Sequence, residues 1–124
     1  MSVEQRIYDM SLDASEDLDD YQFHVMEGYG AFSCSPACAA SDESVGILQN
    51  KPLSGSPAEI RRVGISKGVC GGTIPVWSYL TSDANSHLVV ALEGERYVGL
   101  AMQAGVTGRV ISVLCEFGTT PAAT

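Results

Sequence analysis

No apolar run in this sequence approaches the ~20 residues that a membrane-spanning helix requires, so no membrane partner is expected. Cations are scarce, with seven Lys and Arg against fifteen Asp and Glu and a net charge of −8. Phosphate binding calls for clustered Lys and Arg. Arg61-Arg62 with Lys67 is too small a set, and nucleic acid is therefore not an expected partner. Histidine occurs twice, at His24 and His87, each within or beside a strand-like run. No nucleophile elbow, phosphate loop or HExxH is present. Ser86-His87 near Asp83 has the residue types of a hydrolase triad, but neighbours in one tight turn cannot take up its geometry. Asp9, Asp13, Asp17, Asp19 and Asp20 lack the Gly and distal Glu of a calcium loop. An enzyme, a cofactor and a metal are thus not expected. Capped helical periodicity is also missing beyond about ten residues, which leaves a mainly β protein. Residues 1–6 lack the basic start and apolar run of a signal peptide, so synthesis in a cytoplasm is expected.

What is present fits one domain. A chain of 124 residues can bury roughly two thirds of its unfolded surface in a single core, and 45% apolar content supplies that core. Charge is uneven: residues 1–50 carry ten Asp and Glu against Arg6 alone, and residues 51–124 carry five against six Lys and Arg. The sequence accordingly divides into an extended acidic arm at 1–17, a β-domain at 18–117 and a small polar tail at 118–124 that frays.

The most informative pattern is a repeat. Val45-Gly46-Ile47-Leu48-Gln49 returns as Val98-Gly99-Leu100-Ala101-Met102-Gln103. Each copy follows a polar turn and leads to a second apolar run, residues 58–63 after the first and 109–114 after the second. Upstream, residues 21–26 face residues 77–81 more weakly. A strand–turn–strand pattern met twice makes a small β-barrel or sandwich from two similar halves. The Gly in each copy would permit close strand crossing. Expected strands include 21–26, 45–50, 59–69, 79–81, 87–92, 97–102 and 109–117, with bulges or bends at Gly64 and Gly68.

Four cysteines raise metal and disulfide readings. Cys34 and Cys38 have a spacing that zinc sites use, but Cys70 and Cys115 lie 45 residues apart, unlike the close pairs of zinc knuckles. Cys115 continues the alternation Ile111, Val113, Cys115, Phe117, which puts it on an apolar face as a small buried hydrophobe. Unbonded thiols are expected, ahead of a Cys34–Cys38 bridge or zinc.

Residues 44–52, 58–67 and 80–84, together with 97–101 and 110–114, resemble the head decoration proteins of tailed phages, also called capsid cement proteins. The likeness spans roughly residues 15–117, and 44–52 is its most specific part. The chain departs from the family at Trp77-Ser78, where a Gly-Asp turn is usual, and at Cys70 and Cys115, where aliphatic residues are usual. The resemblance implies a non-enzymatic protein of the virion surface, made in the host cytoplasm, that binds the major capsid protein in its assembled lattice, often as a homotrimer. Tail or baseplate β-modules and small-molecule-binding β-barrels share the composition and are the alternatives. Interface candidates are Trp77 and Tyr79, since aromatics are enriched at hot spots; the other reading of Trp77 is a core residue. In the arm, Ile7, Tyr8, Met10 and Leu12 exceed what a solubilising tail needs. They suggest a segment mobile in the free protein that orders against the capsid or a neighbouring copy.

Overall fold

The computed structural model describes residues 4–39 and 43–119. Nine strands follow in chain order: β1 (Gln5–Ala14), β2 (Val25–Gly28), β3 (Ser33–Pro36), β4 (Ser44–Leu48), β5 (Pro57–Val69), β6 (Tyr79–Ser82), β7 (Leu88–Val90), β8 (Arg96–Ala101) and β9 (Val110–Thr119). The protein is all-β, with no helix among the described residues. The sheet order is β1-β3-β2-β4-β5-β9-β8-β6-β7, and β1 returns to pair with β5. That return closes β1, β3, β2, β4 and β5 into a five-strand barrel and removes the barrel's free edges.

The thirteen-residue β5 serves both halves of the molecule. Its residues 57–65 pair with β1, and residues 64–69 pair with β9. From β9 the sheet runs through β8 and β6 to β7, and a parallel bridge from Leu88 to Cys70 brings β7 back against the end of β5. The parallel pairing of β1 with β3 does the same for the first half. Two five-strand units therefore share one strand, with β2, β3, β4 and the start of β5 in the first matched by β6, β7, β8 and β9 in the second.

The match extends to single hydrogen bonds. The amide of Phe23 donates to Leu48 O at 2.7 Å, and Trp77 donates to Ala101 O at 2.6 Å. Leu48 returns a bond to His24 O, and Ala101 to Ser78 O, each at 3.0 Å. Hairpin tips agree as well: Tyr29 donates to Ser33 O at 2.9 Å, and Asp83 to His87 O at 2.8 Å. Asn50 Oδ1 accepts from the Glu59 amide at 3.0 Å, as Gln103 Oε1 does from Ser112 at 2.8 Å. Phe23 and Trp77 even share a left-handed backbone, with φ of 68° and 64°.

The repeated Val-Gly unit explains itself in this frame. A Cβ added to Gly46 would lie 2.5 Å from Arg61 O and 2.6 Å from Ile60 Cγ2. One added to Gly99 would lie 2.6 Å from Leu114 O and 2.7 Å from Val113 Cγ1. Each glycine thus lets its strand cross the next at a distance that a side chain would forbid. The expected close crossing in two equivalent places is what the fold contains.

Alternation fills the interior. Ile111, Val113 and Cys115 of β9 point inward, as do Ala58, Ile60 and Ser66 of β5. One cluster gathers Leu80, Leu88, Val98, Ile111 and Val113 with Val25 and Ile47. The other gathers Ala14, Leu18, Met26, Leu48, Ala58 and Ile60. Fully burying each large aliphatic contributes about 1.5–3 kcal/mol, so both halves hold a core.

Three expectations need correction. Residues 5–14 are extended and acidic as anticipated, but they are a paired strand of the barrel and no free-standing arm. Their acids are offset by a cation from β5: Asp9 Oδ1 and Oδ2 lie 3.0 Å and 3.2 Å from Arg61 Nε and Nη2. Residues 21–24 form a corner instead of a strand, because Phe23 turns left-handed and its amide is taken by Leu48 O. Gly118 and Thr119, expected in the tail, are the end of β9 and pair with Tyr97 and Arg96; the rest of the expected tail, residues 120–124, lies outside the described residues.

Candidate functional site

Among the described residues, no cluster of three His, Cys, Asp or Glu is arranged to hold a metal ion. The Ser86–His87–Asp83 turn is built for structure. Ser86 is buried and its Oγ donates to Ala37 O at 2.8 Å. Asp83 Oδ1 accepts from the amides of Asn85 at 2.8 Å and His87 at 3.0 Å. The His87 Nδ1 to Asp83 Oδ2 separation is 4.0 Å. The serine hydroxyl is therefore engaged with a carbonyl of the first unit, away from the imidazole.

Three of the four thiols behave as hydrophobic fillers. Cys34, Cys70 and Cys115 are buried, Cys38 is exposed, and all four are unbonded. Burial pushes the Cys34 thiol up to about 11, and the charge of Asp13 adds to the shift. Burial likewise raises Cys115 to about 12, with Arg61 opposing it. A thiol held so far above neutrality is a poor nucleophile and a poor metal ligand.

What the surface does offer is aromatic and apolar. Trp77 is 55% exposed at the second unit's corner, between Val76, also exposed, and Tyr79. It is not a core residue. Beside this corner opens a shallow groove of about 290 Å³ floored by Ile74, Pro75, Gly105 and Val106, with Arg109 at its rim. Tyr79 is less free, since its ring lies 4.5 Å from that of Tyr97. A second aromatic site, missed in the sequence, is the β2–β3 hairpin tip, where Tyr29 is 61% and Phe32 83% exposed. Phe32 adopts φ 55° there, an uncommon conformation for an aromatic residue.

The residues expected to dock from the arm fall differently. Met10 and Leu12 pack against the first core, opposite Ile60 and Ala58 of β5. Their apolar surface is used within the chain. Tyr8 remains half exposed opposite the exposed Val63. Ile7 falls at a bulge of β1 between the pairs of Arg6 and Tyr8, and its side chain lies outside the described residues. Sequence position alone brings none of these four to Trp77, which belongs to the other unit.

The junction between units is polar as well as packed. The rings of His24 and His87 meet at a tilt of 44° with centroids 4.7 Å apart, and Tyr21 meets His24 edge-on at 5.3 Å. Burial holds the His24 pKa below its ordinary value, and the neighbouring His87 works in the same direction.

The chain is similar in fold to the N base of head fibre gp8.5 of bacteriophage phi29. That crystal structure aligns with a TM-score of 0.64 and 13% identity, covering 88% of this chain and 93% of that one. At this identity the likeness is one of fold. No family model and no curated protein matches the chain.

Proposed function

We propose that this protein is a non-enzymatic structural component of a phage virion that binds the outer surface of the assembled capsid and stabilises it. The observation that carries the reading is the near full-length fold likeness to the base of a phage head fibre. The expectation drawn from residues 44–52, a resemblance to head decoration proteins, points the same way, while no family model matches the chain. The physics is that of a ligand selective for one state. A protein that binds only the expanded lattice stabilises it by about 2.7 kcal/mol per site at a hundredfold excess over its Kd. Repetition over many equivalent sites turns modest affinity into resistance to the pressure of packaged DNA. Two β-units sharing one continuous strand lose little conformational entropy on docking. In this reading the major capsid protein is the partner, the virion exterior is the location, and a homotrimer is the bound form.

The test is to mix purified protein with expanded heads and with unexpanded proheads of the phage that encodes it, and to pellet both. Saturable co-sedimentation with expanded heads is expected. A protein that pellets with tails or baseplates and leaves heads bare would belong to the tail apparatus.

A further inference from the structure

Two guanidinium groups meet where the units join, and neither has an acid. Arg62 of β5 has no partner on β1, because Tyr8 pairs with Val63 and Asp9 with Arg61. A bulge of this kind re-aims the side chain it carries, here away from the acids of β1. Arg96 opens β8 in the second unit. Both side chains come to rest on the half-buried ring of Phe117 in β9, with Cζ 4.5 Å and 5.1 Å from its centroid. Arg62 Nη1 donates to Val45 O and Arg96 Nη2 to Ser44 O, each at 3.3 Å. One ring and two consecutive carbonyls of β4 thus gather both cations, and Arg96 Nε is buried there without an acceptor.

A ring quadrupole and carbonyl dipoles attract cations but carry no net charge, so two positive charges stand uncompensated. The chain has fifteen Asp and Glu against seven Lys and Arg, and acids are not in short supply. Neighbouring cations of β5 find them: Arg61 pairs with Asp9 and Glu4, and Lys67 with Glu4. Among the described residues, no ion pair joins a carboxylate to Arg62 or Arg96.

We propose that Arg62 and Arg96, set on Phe117, form a binding site for a carboxylate, the side chain of an Asp or Glu that a docking protein presents. A guanidinium fork matches the planar carboxylate, and charge-assisted bonds of this type are the strong ones. Each guanidinium has five N–H donors and gives one to β4, and both groups are only half-buried. The ring and the carbonyls therefore position the pair while donors remain for a ligand. Charge selects a monoanion, since a chain of net charge −8 repels a phosphate dianion more than a single carboxylate. Presentation by a protein follows from exposure. Water screens half-exposed cations from a free acid, whereas a docking surface excludes that water and strengthens the contact.

The test uses the arginine Nε–Hε signals of the full ¹⁵N-labelled chain, titrated near neutral pH at constant ionic strength. The probes are acetate, inorganic phosphate, and N-acetylglutamic acid α-amide, whose only charge is the glutamate side chain. The glutamate derivative and acetate should move the Arg62 and Arg96 signals together, with one dissociation constant. Exposed Arg109 and the paired Arg61 should move only slightly. Arg62→Gln or Arg96→Gln should reduce the response of the remaining arginine to that of Arg109. Arg62→Lys, which keeps a cation on Phe117 without the fork, should weaken the response severalfold with near-ultraviolet dichroism unchanged. A response to phosphate alone, a response to acetate but not to the glutamate derivative, equal shifts at Arg62, Arg96 and Arg109, or a full response in Arg62→Lys would each overturn the proposal. Capsids take no part in this titration, so its outcome stands apart from that of the capsid-binding reading.

Discussion

Replacing Gly46 and Gly99 by alanine probes the duplicated architecture most sharply. At Gly99 the new methyl would sit 2.6 Å from Leu114 O and 2.7 Å from Val113 Cγ1, where carbon contacts are comfortable only at about 3.5–4.0 Å. The strands must separate by about 1 Å or remain strained, and overpacking of this kind costs about 1–3 kcal/mol. Gly46 meets the same obstruction at 2.5 Å and also has φ of 150°, which adds roughly 1–2 kcal/mol for an L-residue. At roughly 3–5 °C per kcal/mol for a chain of this size, Gly99→Ala should lower Tm by about 5–10 °C and Gly46→Ala by about 10–20 °C. Gly55 and Gly108 serve as controls, since their φ values are 82° and 86° with nothing within 4 Å. Alanine there should cost about 1–2 kcal/mol, from backbone strain alone, and the two should be nearly equal. Thermal and urea melts followed by circular dichroism give all four values. If Gly46→Ala or Gly99→Ala melts like the parent, close crossing does not define both units and the reasoning fails.

Deleting residues 1–14 should unfold the first barrel, because it removes β1 and leaves buried Arg61 without Asp9; losing one partner of such a pair alone costs about 3–5 kcal/mol. An unchanged melting transition in the truncated protein would mean that these residues are an arm after all. In the folded protein a thiol reagent at neutral pH should modify Cys38 alone, and all four cysteines once denaturant is added, as read by intact mass. Raised thiol pKa values mean that the native state holds those protons more tightly, so the stability they contribute is complete below pH 9 and is lost as pH rises towards about 11 for Cys34 and about 12 for Cys115. Comparing alkaline melts of the parent with Cys115→Val should show a shallower decline in the variant. His24 is shifted the other way: its stabilising contribution is present above the ordinary histidine value of 6.5 and lost as pH falls through its lower folded value. A His24→Gln variant should lose this acid-side decline, and an identical pH profile would remove His24 from the junction's electrostatics.

The duplication was legible because Val45–Gly46 and Val98–Gly99 carry it openly, and β5 and β9 follow each copy with plain alternation. β1 was not legible. Its inward residues Met10 and Leu12 are interleaved with Asp9, Ser11 and Asp13, so it read as acidic coil until β5 supplied Arg61 as a partner. The corners were hidden for a related reason. Left-handed Phe23 and Trp77 are unusual, and nothing local to either residue announces the Leu48 and Ala101 carbonyls that hold them. Trp77 was a candidate on composition alone. Tyr29 and Phe32 flank Gly30 in a short turn, and two aromatics in so short a tip are the local signal of that exposed site.

The measurement that bears most directly on the central claim is a cryo-electron microscopy reconstruction of expanded heads of the phage that, on the proposed function, encodes the protein, with and without the purified chain added. The account predicts added density on the outer lattice alone, with the two β-units that share β5 resolved and repeated at equivalent capsid sites. Identical maps under saturating protein, or new density confined to the tail, would contradict it.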